Sequence, residues 1–391
     1  MQLNKIISLS LLCSVALFGA DSLENVLSEN RNQSFDMTSK KIEEDSQKLQ
    51  KDWIEPVKIS YSYTMDKLAT IKEENYSQAS IIISQPIFKS GGIEYAIKFA
   101  DASKKYSNLD LAISKKTMIK DAVKILFQLK QIDLNIQKQR LMVANAELDI
   151  DTKREQVIHG VMDASFLDNA IIDANLKKTA LVDLETSKKE LENKFKNYSD
   201  KDYLTLSLPT LSMTSEENFI QNNDYIQKNK DESDKKLWTS KMVTTKYLPS
   251  INANYTYSHT FNHDNMNDAY YGLSVSLPLD IKYSNDIQSY KIDYMKSKID
   301  GSIVEVEEKN LYKTKIAKLK NIDSKIELAK KDIELYSSLF FQVKELASVG
   351  LKTPIDAKIL ENSLHIKSMD EGILNIDKQI ELLELYARYS A

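Results

Sequence analysis

Ser348-Val349-Gly350-Leu351-Lys352-Thr353-Pro354-Ile355-Asp356 separates two long stretches that are poor in glycine and proline and rich in lysine. Gly350 can end a helix in the left-handed conformation without a Cβ penalty. Thr353 and Asp356 have the S/T-x-x-D spacing of a helix start, and Pro354 occupies the first helical position, where a missing N–H does no harm. The stretch reads as the tip of a helical hairpin. A weaker copy lies earlier, at Val157-Ile158-His159-Gly160 followed by Ser165-Phe166-Leu167-Asp168.

The helix entering the first tip has heptad positions at Ala122, Leu129, Ile136, Val143, Ile150 and Val157, with a companion stripe through Ile125, Ile132, Gln139, Ala146 and Lys153. Alternating steps of three and four over this many heptads make a coiled-coil seam. No glycine or proline interrupts the chain between Gly92 and Gly160, so one helix of ~100 Å is expected at 1.5 Å per residue. The helix entering the second tip has Tyr312, Leu319, Ile326, Ile333, Phe340 and Ala347. Gly160 and Gly350 are 190 residues apart, and the same shift carries Leu129 to Leu319, Ile136 to Ile326 and Val143 to Ile333.

Each long helix is preceded by two alternating segments that read as strands, about 57-64 and 78-86 in the first half and about 251-261 and 270-279 in the second. Pro86 and Pro278 are expected to close the second strand of each pair. The chain is therefore a duplicated unit of short helix, two strands, long helix, tip and returning helix. Residues 21-203 form the first copy with a hairpin over about 93-198, and residues 204-391 the second with a hairpin over about 283-389. The fold class is α+β, composed mostly of long α-helices.

The strands are of bilayer-crossing length when tilted. Ile251, Ala253, Tyr255, Tyr257, Leu273, Val275 and Leu277 fall on one face, and Asn252, Asn254, Thr256, Ser274 and Ser276 on the other. Such alternation suits either half of a sheet packed on a core or the wall of a water-filled barrel. Four strands cannot close on themselves, and no separate apolar segment exists to cover them. Three copies pooling four strands each would give twelve, an even number within the range of known barrels.

Composition narrows the function. With 53 basic and 57 acidic side chains there is no pull toward nucleic acid. Residues 1-20 read as an export signal, with Lys5 before the short apolar core Ile6 to Phe18 and small residues ahead of Asp21. That core is too short to span a bilayer. Cys13, the only cysteine, lies inside it, so no disulfide, Cys-ligated metal or Cys nucleophile is expected after export. His259-x-x-x-His263 with Asp264 spans a strand end and a loop without the helical context of a metal site. Gly91-Gly92 lacks the Walker pattern of a phosphate loop. No metal, no cofactor and no catalytic constellation is expected; the chain does not read as an enzyme.

In its duplicated strand–strand–hairpin order, in Pro86, Pro278 and Gly91-Gly92, and above all in Ser348-Val349-Gly350-x-x-Thr353-x-x-Asp356, the sequence resembles the TolC-like outer-membrane efflux proteins over nearly its whole length after the signal. The resemblance implies a homotrimer whose twelve-stranded transmembrane β-barrel, four strands per chain, continues into an α-helical tunnel through the periplasm of a Gram-negative bacterium. It implies an exit duct for efflux or type I secretion, docking a periplasmic adaptor (membrane fusion) protein and an inner-membrane transporter. By the same resemblance, Asp356 would line the periplasmic constriction. Gly160, Ser165, Asp168, Gly350, Thr353 and Pro354 would form the adaptor-facing tips. The sequence departs from the family where a second acidic ring would fall, at Ile359, and where a tyrosine is expected, at Ala347. Asp168 stands eight residues after Gly160, which makes the first tip two residues longer than the second. A soluble periplasmic coiled-coil adaptor or scaffold would share the signal and the heptads, but would not need two equal pairs of amphipathic strands.

Overall fold

The computed structural model describes residues 25–66, 74–261 and 266–390. The expected export signal lies outside them, as do His263, Asp264 and most of the two strand-joining loops. The elements, in order, are α1 (Glu29–Lys51), β1 (Lys58–Asp66), β2 (Glu74–Phe88), α2 (Gly92–Ile158), α3 (Ala164–Lys196), α4 (Glu216–Gln221), α5 (Asp224–Thr245), β3 (Ser250–Phe261), β4 (Asn267–Ser276), α6 (Tyr283–Ser348) and α7 (Pro354–Tyr386). Duplication is plain in the lengths: α2 and α6 have 67 and 66 residues, and α3 and α7 have 33 each. The elements divide between two compact units, and each unit draws on both halves of the chain.

One unit comprises residues 34–113 and 220–309 and contains the sheet. Its strands run in the order β1-β2-β3-β4, all antiparallel, so β2 and β3 join the two copies. Residues directly opposite share a face. Ile59, Ile81, Tyr257 and Ala269 form one apolar row, and Ser60, Ser80, Ser258 and Asp268 the neighbouring polar row. The polar face is tied across strands: the Ser60 and Ser80 hydroxyls lie 2.7 Å apart, Ser84 Oγ donates to Asn254 Oδ1 at 2.7 Å, and Asn254 Nδ2 donates to Ser274 Oγ at 2.9 Å. Among the described residues nothing covers the apolar face; Ile59 is 79% exposed and Tyr271 82%. Among the described residues β1 and β4 each have a neighbour on one side only.

Pro86 does not close β2. The strand continues to Phe88 with a register shift between Pro86 and Phe88. A bulge is where a residue without an N–H can sit inside a paired strand, so the proline marks the irregularity and not the end. The following turn needs both glycines. Gly91 has φ +87°, and a Cβ on Gly92 would lie 2.7 Å from Thr245 Oγ1. Below the turn Tyr95 of α2 stacks on Trp238 of α5, ring centres 6.0 Å apart, with Lys98 and Lys241 4.8 and 4.4 Å from the indole centre.

The other unit, residues 25–33, 114–219 and 310–390, is helical. Its core includes Ala122, Leu129 and Ile136 of the first seam and Tyr312, Leu319 and Ile326 of the second, all buried. The heptad pattern therefore identified the core here, and Val143, Ile150, Ile333 and Phe340 nearer the tips are only half-buried. Helix α2 meets α3 through Asp133–Lys188 at 2.7 Å and Glu147–Lys178 at 2.8 Å. It meets α7 through Lys124–Glu384 at 3.2 Å, Gln131–Asp377 at 2.8 Å, Lys138–Asp370 at 2.5 Å and the buried Asn362, whose Nδ2 donates to Asn145 Oδ1 at 2.7 Å. On α2 these contacts step by seven residues, one polar pair per heptad of an antiparallel seam. Helix α7 meets α6 through Lys315–Glu381 at 2.7 Å and Lys367–Asp332 at 2.8 Å. Residues 199–215 cross this helical array: Leu211 N–H donates to Gln379 Oε1 of α7 at 2.7 Å, and Tyr312 Oη of α6 donates to the Thr214 carbonyl at 2.7 Å.

Candidate functional site at the hairpin tips

Both long helices end in the same way. Gly160 and Gly350 have φ +67° and +77°. Val161 N–H donates to the Gln156 carbonyl and Leu351 N–H to the Leu346 carbonyl, each at 2.9 Å, the six-to-one bond of a Schellman ending. Nothing lies within 4 Å of where a Cβ would stand on either glycine, so the left-handed backbone alone calls for glycine.

The cap of each returning helix stands three residues after the glycine, and there the chemistry differs. Thr353 caps α7: its Oγ1 accepts from Asp356 N–H at 3.1 Å, and Asp356 Oδ2 accepts from Thr353 N–H at 3.1 Å. With Pro354 first in the helix, this is the reciprocal capping box expected from the spacing. At the first tip Ser165 is not the cap. Asp163 is, and it accepts from Ser165 N–H at 2.8 Å, so Ser165 is already the second residue of α3. The expectation of a tip two residues longer is therefore corrected: Asp163 follows Gly160 by the same three residues that separate Thr353 from Gly350. An N-cap requires only one side-chain acceptor, and Asp163, with Phe166 three residues on, carries no capping-box signature. The position matching Asp356 is Phe166, 54% exposed, and Asp168 lies one turn into α3, also exposed.

The hydrogen bond from the Thr353 backbone, helped by the Thr353 side chain and nearby Lys352, holds the Asp356 carboxyl below the usual carboxylate range. Bonds from the Ser165 side chain and backbone do the same for Asp163. Asp356 is half-buried, with one carboxylate oxygen engaged in the cap. Around these groups both tips expose apolar side chains: Val161 and Ile158 with Phe166 on one, Val349 and Leu351 on the other. His259, from the metal-site set weighed above, has Nδ1 2.6 Å from Asn267 Oδ1 and meets Phe261 edge-on.

No family model and no curated protein sequence matches this chain. Solved structures do. The outer membrane protein VceC from Vibrio cholerae is 10% identical, with a TM-score of 0.76 over 94% of this chain and 96% of its own. The CmeC outer membrane channel of Campylobacter jejuni is 12% identical, with a TM-score of 0.75 over 94% and 86%. The open state of the Neisseria gonorrhoeae MtrE outer membrane channel is 10% identical, with a TM-score of 0.66 over 94% and 89%. The chain has the fold of these TolC-like channels over nearly its whole length.

Proposed function

We propose that this TolC-like chain is an outer-membrane exit duct that passes substrates from the periplasm to the exterior without altering them chemically. The observation that carries the reading is the open sheet: four strands with one apolar exposed face, one hydroxyl- and amide-lined face and, among the described residues, two edges lacking a neighbour. Exposed apolar strands in contact with water would be an aggregation hazard, whereas in a bilayer they face their proper solvent. Pooling strands among three copies removes every edge and turns the serines and asparagines toward a water-filled lumen. Residues 21-203 and 204-391 are then two copies of one ancestral unit, following an export signal over residues 1-20 that is lost on secretion.

In this homotrimer the tips face a periplasmic adaptor, and an inner-membrane transporter supplies the energy. The exposed Val161, Val349 and Leu351 around Gly160 and Gly350 suit such docking. Three Asp356 carboxylates would ring the constriction and favour cations. Asp356→Asn separates that role from capping, because the amide keeps an acceptor oxygen for Thr353 N–H while losing the charge. In planar bilayers the variant is expected to lose cation preference with little change in thermal stability; unchanged selectivity removes Asp356 from the constriction. The duct reading itself is tested by fractionation. A heat-sensitive trimer in outer membranes supports it, and a soluble periplasmic protein would make the adaptor or scaffold reading the better one.

A further inference from the structure

At the helix-side end of the sheet, a groove of about 290 Å³ opens between the C-terminal ends of α1 and α5 and the first turns of α2. Its wall includes Asp52, Trp53, Lys89 and Lys246, and its floor is kept low by Gly92 and Ala96. Thr245 fills the space beside Gly92 so closely that a side chain there would collide with it. Among the described residues neither the Lys89 nor the Lys246 ammonium has a hydrogen bond or an ion pair, whereas Lys98 pairs with Glu94 and Lys104 with Glu43. Asp52 contributes one carboxylate, so the wall has a net positive charge. Apolar side chains adjoin these groups in the chain and are left exposed: Ile54 after Trp53, Ile87 and Phe88 before Lys89, and Leu248 in the wall itself.

We propose that this groove binds the head group of an anionic phospholipid, with Lys89 and Lys246 on the phosphodiester and Trp53 at the head-group level. The inference rests on the reading of the sheet as a membrane wall, because that reading sets the strand ends, and hence the groove, at the membrane–water boundary. Three features then point to one occupant. Two unpaired ammoniums in one concavity are complementary to an anion. A tryptophan in the link between α1 and β1, in the wall of the groove, is placed where its amphipathic ring is favoured in membrane proteins. Exposed apolar side chains beside the cations would meet acyl chains, which a free phosphate ion lacks. A zwitterionic lipid has no net charge to offer the surplus lysine, so the groove selects for anionic lipids of the phosphatidylglycerol type.

The chain has 2 tryptophans, Trp53 and Trp238, which makes the test direct. The full-length trimer with Trp238→Phe is reconstituted in phosphatidylcholine vesicles. Brominated phosphatidylglycerol or brominated phosphatidylcholine is then added at low mole fraction, and quenching of Trp53 reports the local lipid. Phosphatidylglycerol is expected to quench with a relative affinity on the order of tenfold higher. Lys89→Gln with Lys246→Gln should bring the two lipids level, and Lys89→Arg with Lys246→Arg should preserve the preference. Equal quenching by both lipids in the parent protein overturns the proposal, as does an undiminished preference in the glutamine variant. Inorganic phosphate that displaces the preference at millimolar concentration assigns the groove to free anions and overturns the lipid assignment. Conductance across planar bilayers is measured alongside. A chain that forms no barrel gives none in any lipid, whereas a wrong lipid site leaves conductance intact.

Discussion

The two hairpin tips have one backbone and two chemistries. Each has a left-handed glycine, a Schellman bond and an N-cap three residues on, and each starts a helix of 33 residues. At the first tip an aspartate caps alone and Phe166 follows it; at the second, a threonine and Asp356 cap each other. The course of the chain is therefore set by glycine and by one acceptor, which Asp163 or Thr353 can supply equally well. The residue three beyond the cap is not needed for the turn and differs, an apolar ring at one tip and a carboxylate at the other. In a trimer with six tips, only three would then present an acid at that position.

The sharpest way to break this equivalence is at the glycines. Gly160→Val and Gly350→Val are each expected to destabilise by about 1–2 kcal/mol, the cost of a left-handed conformation for a residue with a Cβ. Because no atom lies within 4 Å of either Cβ position, the two costs should be alike, with no steric addition at one tip. Asparagine, which tolerates this conformation, should recover much of the loss at both. Unfolding midpoints measure it; a valine tolerated at one tip alone would mean that the two turns are not the same device.

Next in size is the cap. Thr353→Ala is expected to cost about 1 kcal/mol, and Thr353→Ser to be nearly neutral. Exchanging the caps, Asp163→Thr and Thr353→Asp, should leave both helices formed, as read by unfolding and by exchange protection of the first-turn amides. Loss of protection in either exchange would show that the acceptors are tied to their own tips.

These tips were legible in the sequence to the extent that they depend on backbone rules. Gly350, Thr353, Pro354 and Asp356 announced a capping box because each residue type has a specific local job. Asp163 was missed because a single-acceptor cap leaves no paired signature, and Ser165, two residues on, imitates one. The seams were legible through their period, which identified Ala122, Leu129, Leu319 and Ile326 as core. Period cannot say which helix lies opposite. The polar pairs that join α2 to α7, such as Lys138 with Asp370 and Asn145 with Asn362, link residues more than two hundred positions apart and leave no local mark. Strand faces followed from alternation, while the bulge at Pro86 did not, since a proline reads as a stop unless the neighbouring strand is known.

The smallest expected effect separates the tips by pH. Both Asp163 and Asp356 have carboxyls held below their ordinary range by hydrogen bonds made in the folded state. The folded form therefore favours the ionised carboxylate, and the stabilisation is fully present above the ordinary carboxylate pKa. It is lost as pH falls through the depressed folded value. At the first tip the titrating group is itself the cap. At the second, Thr353 Oγ1 does not titrate and continues to accept from Asp356 N–H. Acidification should thus loosen the first turn of α3 more than that of α7. Backbone hydrogen-exchange protection at Ser165, corrected for the intrinsic rate, is expected to fall through the acid range while that at Asp356 declines less. Asp163→Asn, an equally good cap without a titrating proton, should flatten the Ser165 response and leave Asp356 unchanged. If wild-type Ser165 protection were independent of pH, the Asp163 carboxylate would not be its acceptor, and the contrast between an aspartate tip and a threonine tip would collapse.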